Sequence, residues 1–163
     1  MIVVADTSVL INLCCIDRAD LLPQLFREVS VPPAVATEFA RLAARDPRFA
    51  GLALPAWIVV RTPRAELNQT PGDPALDAGE AAAIQLAVEI GADAILLDER
   101  HGYEAAMRRG LVVIGLLGVL LRAKRERRLP ALGPELIRLQ EQAGFWLSDP
   151  VRRRALELAG ERP

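Results

Sequence analysis

Four carboxylates in this chain occupy positions where an acid is expensive unless something uses it. Asp6 ends the apolar run Ile2-Val3-Val4-Ala5, and Asp98 ends Ala94-Ile95-Leu96-Leu97. Glu38 sits beside the apolar stripe Val35, Phe39 and Leu42, and Glu80 shares a helical face with Ala83, Ile84 and Ala87. A carboxylate on or beside such a face needs a partner. If the four converge, their repulsion raises pKa values or opens the site unless a cation intervenes. All four are hard oxygen ligands, and no cysteine–histidine cluster competes with them. That donor set selects Mg²⁺ or Mn²⁺, and an acidic site with such ions suits phosphodiester hydrolysis.

Each residue also has a local reading. Asp6 can simply close a strand. Ser8 and Asn12, one helical turn apart beside it, are candidate supporting groups, yet Ser8 can equally cap a helix. Glu38 can form a buried ion pair with one of the many arginines. Asp77-Ala78-Gly79-Glu80 has capping-box spacing, and a Glu80 folded back to the cap is lost as a ligand. Glu99 reaches a metal only through water or is an exposed turn residue. His101, the only histidine, reads either as a substrate contact or as a turn residue.

The elements that must position these groups alternate. Strands are expected at Ile2–Ala5, Glu28–Val31, Trp57–Val60, Ala94–Leu97 and Val112–Ile114. Helices are expected from Thr7 or Ser8 through Cys14, over Ala19–Phe26, from Pro33 to about Ala44 and from Asp77 to about Ile90. Further helices follow at Tyr103–Arg109 and Leu116–Arg127, and at about 134–142 and 149–159. Proline suits the first turn at Pro33, and Gly91 closes the helix before it. Thr62–Pro74 is proline-rich and reads as a loop. Short apolar strands alternating with helices predict an α/β fold, a three-layer α/β/α sandwich around a mainly parallel sheet of about five strands. In such sheets function collects at the carboxyl ends of the strands, where Asp6 and Asp98 lie.

Length and composition bound the rest. The 163 residues predict one domain, 1–163, with added C-terminal helices at about 134–159. A 52% hydrophobic content excludes a disordered chain, and with 4% aromatics the core is aliphatic. Only Cys14 and Cys15 are present, so there is no disulfide framework. The net charge of −1 excludes a globally basic nucleic-acid binder. Basic groups concentrate at Arg122, Lys124, Arg125, Arg127 and Arg128, and again at Arg152–Arg154. Both clusters read either as phosphate contacts or as solvated helix surface. No apolar stretch is long enough to span a bilayer and no signal-peptide pattern opens the chain, so a cytoplasmic protein without a membrane partner is expected.

Val4-Ala5-Asp6-Thr7-Ser8-Val9-Leu10-Ile11-Asn12 resembles the first strand and acidic residue of the PIN domain family, whose bacterial members include the VapC-type toxins. Pro32-Pro33-Ala34-Val35-Ala36-Thr37-Glu38 is similar to its second motif, and the register from Glu80 to Asp98 is similar to its third and fourth. The resemblance covers nearly the whole chain. It implies a metal-dependent endoribonuclease, a toxin of a toxin–antitoxin pair, with Asp6, Glu38, Glu80 and Asp98 as catalytic, metal-holding residues and Ser8 beside them. It also implies RNA as substrate, a homodimer and a small antitoxin partner. Leu21-Leu22 and Leu25-Phe26 are either an interface or core. Two positions depart from the toxins: Glu80 replaces their usual aspartate, and Leu96 replaces the threonine common two residues before the last aspartate. They keep open a second reading, a catalytically weak nucleic-acid or protein binding module. Phosphoryl transfer to Asp6 predicts an aspartate at position 8, where Ser8 stands, and a dinucleotide site needs glycines that Asp6-Thr7-Ser8 lacks.

Overall fold

The computed structural model describes residues 1–163 and contains five strands, β1 (Ile2–Ala5), β2 (Glu28–Val31), β3 (Val59–Val60), β4 (Ala94–Leu96) and β5 (Val113–Ile114). They form one parallel sheet in the order β3-β2-β1-β4-β5. The chain runs outward from β1 to β3, then returns to place β4 on the other side of β1. β1 is therefore central, with Val4 opposite Ser30 on one side and Ile95 on the other. Buried on both faces, β1 and β4 are apolar at nearly every position, as parallel strands under two layers of helices must be.

Eight helices flank the sheet: α1 (Thr7–Cys15), α2 (Leu21–Leu25), α3 (Pro33–Arg45), α4 (Ala78–Glu89), α5 (Arg100–Arg108), α6 (Leu116–Arg125), α7 (Gly133–Gln142) and α8 (Asp149–Leu158). This is the three-layer α/β sandwich expected from the alternation. α4 packs against β1 and β4 and touches α3 and α5, while α2 covers β2 and meets α6. Forty buried hydrophobic residues form one cluster. No helix is long and apolar enough to cross a membrane.

The boundaries differ from the pattern where tertiary contacts decide. α2 is limited to Leu21–Leu25, because Asp20 sits at its N-cap and Phe26 turns extended. Leu21, Leu22, Leu25 and Phe26 are all buried, so this stretch is core and not an exposed interface. β3 keeps only Val59–Val60 of the expected strand, being an edge strand with one neighbour. α5 begins at Arg100, three residues early. A short 3₁₀ turn, Pro47–Phe49, was not foreseen; Asp46 caps it by accepting from the Arg48 N–H. The loop at 62–74 is pinned instead of regular. Glu89 accepts from the Arg64 and Ala65 N–H groups, and Asp73 binds Arg109.

Candidate active site

Asp6 leaves the sheet at the carboxyl end of β1, its N–H still donating to the Leu96 carbonyl at 2.9 Å. It occupies the N-cap of α1, which begins at Thr7. Neither Thr7 nor Ser8 caps that helix: both lie inside its first turn. Thr7 instead turns its hydroxyl to Glu38 on α3 and donates to Oε2 at 2.8 Å. Glu38 thus finds a hydroxyl where an arginine was one of the expected partners. Asn12 spends its amide on the Ser8 carbonyl, one turn back, at 2.8 Å.

The N-terminus of α4 approaches from the other side. Asp77 accepts from the Glu80 N–H at 2.7 Å, and Glu80 Oε2 accepts from the Asp77 N–H at 3.0 Å, a complete capping box. Glu80 therefore does fold back to the cap through Oε2, while its other oxygen takes no protein hydrogen bond. Between these residues lies Gly79, buried and without a side chain for a steric reason. A Cβ there would stand 2.9 Å from Glu38 Oε2, 3.4 Å from Asp77 Oδ1 and 3.8 Å from Asp6 Oδ1. Three carboxylates thus point at the space above one bare backbone position.

Asp6, Thr7, Ser8, Asn12, Glu38, Asp77, Glu80 and Glu99 line one cavity of about 360 Å³. Its far wall comes from Arg48, Phe49 and the segment 143–146. A larger hollow of about 460 Å³ lies between the 63–69 loop and α4, but it gathers no cluster of carboxylates.

Electrostatics set this site apart. Asp6 is 5% exposed, and its Oδ1 has no hydrogen-bond partner. Burial is the main cause that pushes its pKa up to about 7; the Thr7 backbone opposes this, and the charges of Asp77, Glu38 and Glu80 add to it. Burial also raises Glu80, against the Asp77 backbone N–H and with Asp77, Glu99 and Glu38 as neighbouring charges. Ser8 Oγ is likewise buried without a partner, so it faces the site with its hydrogen-bonding capacity unspent.

Asp98 has a different placement from the other three. Its Oδ1 accepts from the Leu116 N–H at 3.0 Å, capping α6 from a distant strand. Solvent reaches the residue on one side, while crowding on the others raises its carboxyl pKa against the Leu116 bond. It does not line the cavity; its neighbour Glu99 does. So the structure joins Asp6, Glu38 and Glu80, holds Asp98 at the head of α6, and adds Asp77 and Glu99. Asp77 reads locally as a cap and Glu99 as a turn, which is why sequence pattern alone left them outside. Part of the basic run has local partners: Arg122 pairs with Glu126 at 2.9 Å and lies over Phe26, and Lys124 bonds the Pro130 carbonyl, while Arg125, Arg127 and Arg128 are exposed. His101 is exposed on α5 and does not line the cavity.

A divalent cation fits this arrangement by two observations: the orphaned, buried Asp6 Oδ1, and the convergence of carboxylates over Gly79. As the side chains stand, no three His, Cys, Asp or Glu residues are grouped closely enough to hold a metal ion.

A parallel sheet with acids gathered at its strand ends defines a class of α/β proteins, and the comparisons narrow it. A family model described as DUF3368, PIN domain, matches residues 2–161. The chain belongs to the PIN domain family, whose members are in general nucleases that depend on divalent metals. A PilT N-terminus domain protein from the hyperthermophilic archaeon Sulfolobus solfataricus is similar in structure, with a TM-score of 0.53 and 20% identity, covering 74% of this chain and 91% of that one. At that identity the likeness bears on the fold alone. No curated protein matches the chain.

Proposed function

We propose that this PIN domain is a Mg²⁺- or Mn²⁺-dependent endoribonuclease. The observation that carries the reading is the buried, unpartnered Asp6 Oδ1 facing Glu38 and Asp77 across Gly79. Asp6 and Glu38 would hold the ion, with Thr7 fixing the direction of Glu38. Glu80 contributes its uncapped oxygen. Asp98 stands at the neighbouring strand end outside the cavity, its Oδ1 spent on the Leu116 N–H and its Oδ2 without a protein hydrogen bond. When bound, a divalent ion supplies Lewis-acid stabilisation of the scissile phosphate and a water of lowered pKa. Burial pushes the Asp6 pKa up to about 7, so a proton would compete with the ion for this carboxyl. The Ser8 hydroxyl is placed to orient a water or a phosphate oxygen.

The test is cleavage of a mixed RNA pool by the purified protein with Mn²⁺, with EDTA, and as Asp6→Asn and Glu38→Gln. Cleavage that needs metal and both carboxylates supports the assignment. An independent readout is thermal stabilisation by Mn²⁺ without RNA, abolished in Asp6→Asn. The engagement of Glu80 in the capping box favours the second reading, a catalytically weak binding module. That reading predicts RNA or protein binding without turnover.

The toxin role, the homodimer, the antitoxin partner and the cytoplasmic location rest on the resemblance to VapC-type toxins. Growth arrest on expression of the wild type, relieved by Asp6→Asn, tests the first of these.

A further inference from the structure

Trp146 is 81% exposed, in a chain with two tryptophans and 4% aromatic residues. Isolated exposed apolar residues are ordinary, but this one lines the acidic cavity and is held there from both sides. On its N-terminal side the Phe145 N–H donates to the Leu139 carbonyl at 2.9 Å, and the Phe145 ring packs on the core. On its C-terminal side Leu147 is buried and Ser148 caps α8. Flanked by two inward side chains, the indole is directed out to the cavity and the solvent.

The turn that places it is specific. Gly144 has φ +62°, and a Cβ there would come within 2.9 Å of Arg48 Nη1. That guanidinium donates to the Ala143 carbonyl at 3.0 Å and is clamped by Asp46 at 2.6 Å, yet it remains about half exposed. One cavity is therefore lined by carboxylates, by a cation held in place and by an exposed indole. A nucleotide bound to the carboxylates through a metal brings three kinds of group for these to meet: a reacting phosphate, an adjoining phosphate and a base.

We infer that Trp146 is a positioning residue, a stacking platform for one unpaired base of the RNA, with Arg48 holding the adjoining phosphate. The inference rests on the nuclease reading above. Every base has a π-face, so the platform is tolerant of sequence, whereas bases stacked within a duplex have no face to offer.

The test uses the full chain and an oligoadenylate of about ten nucleotides, within the usual range for stacking grooves. Trp146→Ala is expected to raise KM about ten-fold or more with kcat unchanged, and Trp146→Phe to restore most of it. In a Trp57→Phe background the remaining indole fluorescence is expected to be quenched as the RNA binds. Duplex RNA should quench it far less. An unchanged thermal midpoint in Trp146→Ala shows that the fold is intact. If the wild type cleaves RNA while Trp146→Ala keeps the same KM, or if the fluorescence stays unquenched at saturation, the inference falls and the nuclease stands. If the wild type neither binds nor cleaves RNA, both fall.

Discussion

The Thr7 hydroxyl reaches across from the first turn of α1 to Glu38 Oε2 at 2.8 Å. This bond ties the end of the central strand to a helix about thirty residues later, and it sets the direction of one carboxylate of the cavity. The site thus holds an oriented acid, Glu38, beside Asp6, whose carboxyl pKa burial pushes up to about 7. That asymmetry yields the first prediction.

Asp6 has a folded pKa of about 7 against an unfolded value of 3.8. The unfolded chain loses this proton first as pH rises, so the metal-free fold loses stability between about pH 4 and pH 7. The upper bound is on the order of 4 kcal/mol. Urea denaturation in EDTA at pH 5 and pH 8 should show the loss, and Asp6→Asn should flatten it. A wild-type stability that rises across this window would overturn the assignment. Added Mn²⁺ should reverse the trend, since metal binds only the ionised form.

Gly79→Ala separates stability from site chemistry. In a helix the exchange is ordinarily worth about 1 kcal/mol of stability. Here the new methyl displaces Glu38 from its place beside Thr7. The expected outcome is a fold of equal or greater thermal stability with Mn²⁺ affinity lowered about ten-fold, read by calorimetry. Unchanged affinity would mean that Glu38 does not serve the ion.

Asp98 has two separable roles. Asn keeps the acceptor for the Leu116 N–H but removes the charge, whereas Ala removes both. If the charge serves catalysis, Asp98→Asn folds as the wild type does and loses most cleavage. The cap predicts an additional loss of about 1 kcal/mol in Asp98→Ala, measured by denaturation. Full activity in Asp98→Asn would confine the residue to its structural role.

Arg18 donates through Nε and Nη2 to Glu135 Oε1, at 3.0 and 2.9 Å, joining the turn between α1 and α2 to α7. Glu135 is almost wholly buried and keeps only Arg138, at 3.5 Å, as a second partner. Arg18→Met should cost about 1–3 kcal/mol by leaving that carboxylate under-satisfied, and the double change Arg18→Met with Glu135→Leu should recover much of it. Chemical denaturation of the three variants checks this.

Asp6 and Glu38 were legible in the sequence because each interrupts an apolar pattern that a strand or helix must bury. The sheet was legible for the same reason, since its strands are short apolar runs between helices. Asp77 and Glu99 were visible as a helix cap and as a turn residue with at most a water-mediated contact, and those local roles gave no reason to place them in the cavity. Arg48 and Trp146 come from stretches with no period at all, the 3₁₀ turn and the link between α7 and α8. The partner of Asp98 lies 18 residues further on, a pairing that only the packing of α6 against the strand ends decides. An aromatic alternating with Phe145 and Leu147 in an aromatic-poor chain was the one available signal for Trp146.

The central position of β1 also has a consequence for synthesis. The strand that delivers Asp6 is made before its neighbour β4, which follows some ninety residues later, and before the segment carrying Trp146. Such non-local pairing folds slowly. The acidic cavity is therefore incomplete until β4 and the Trp146 segment have followed β1, so a chain of this topology passes through synthesis with its site unassembled.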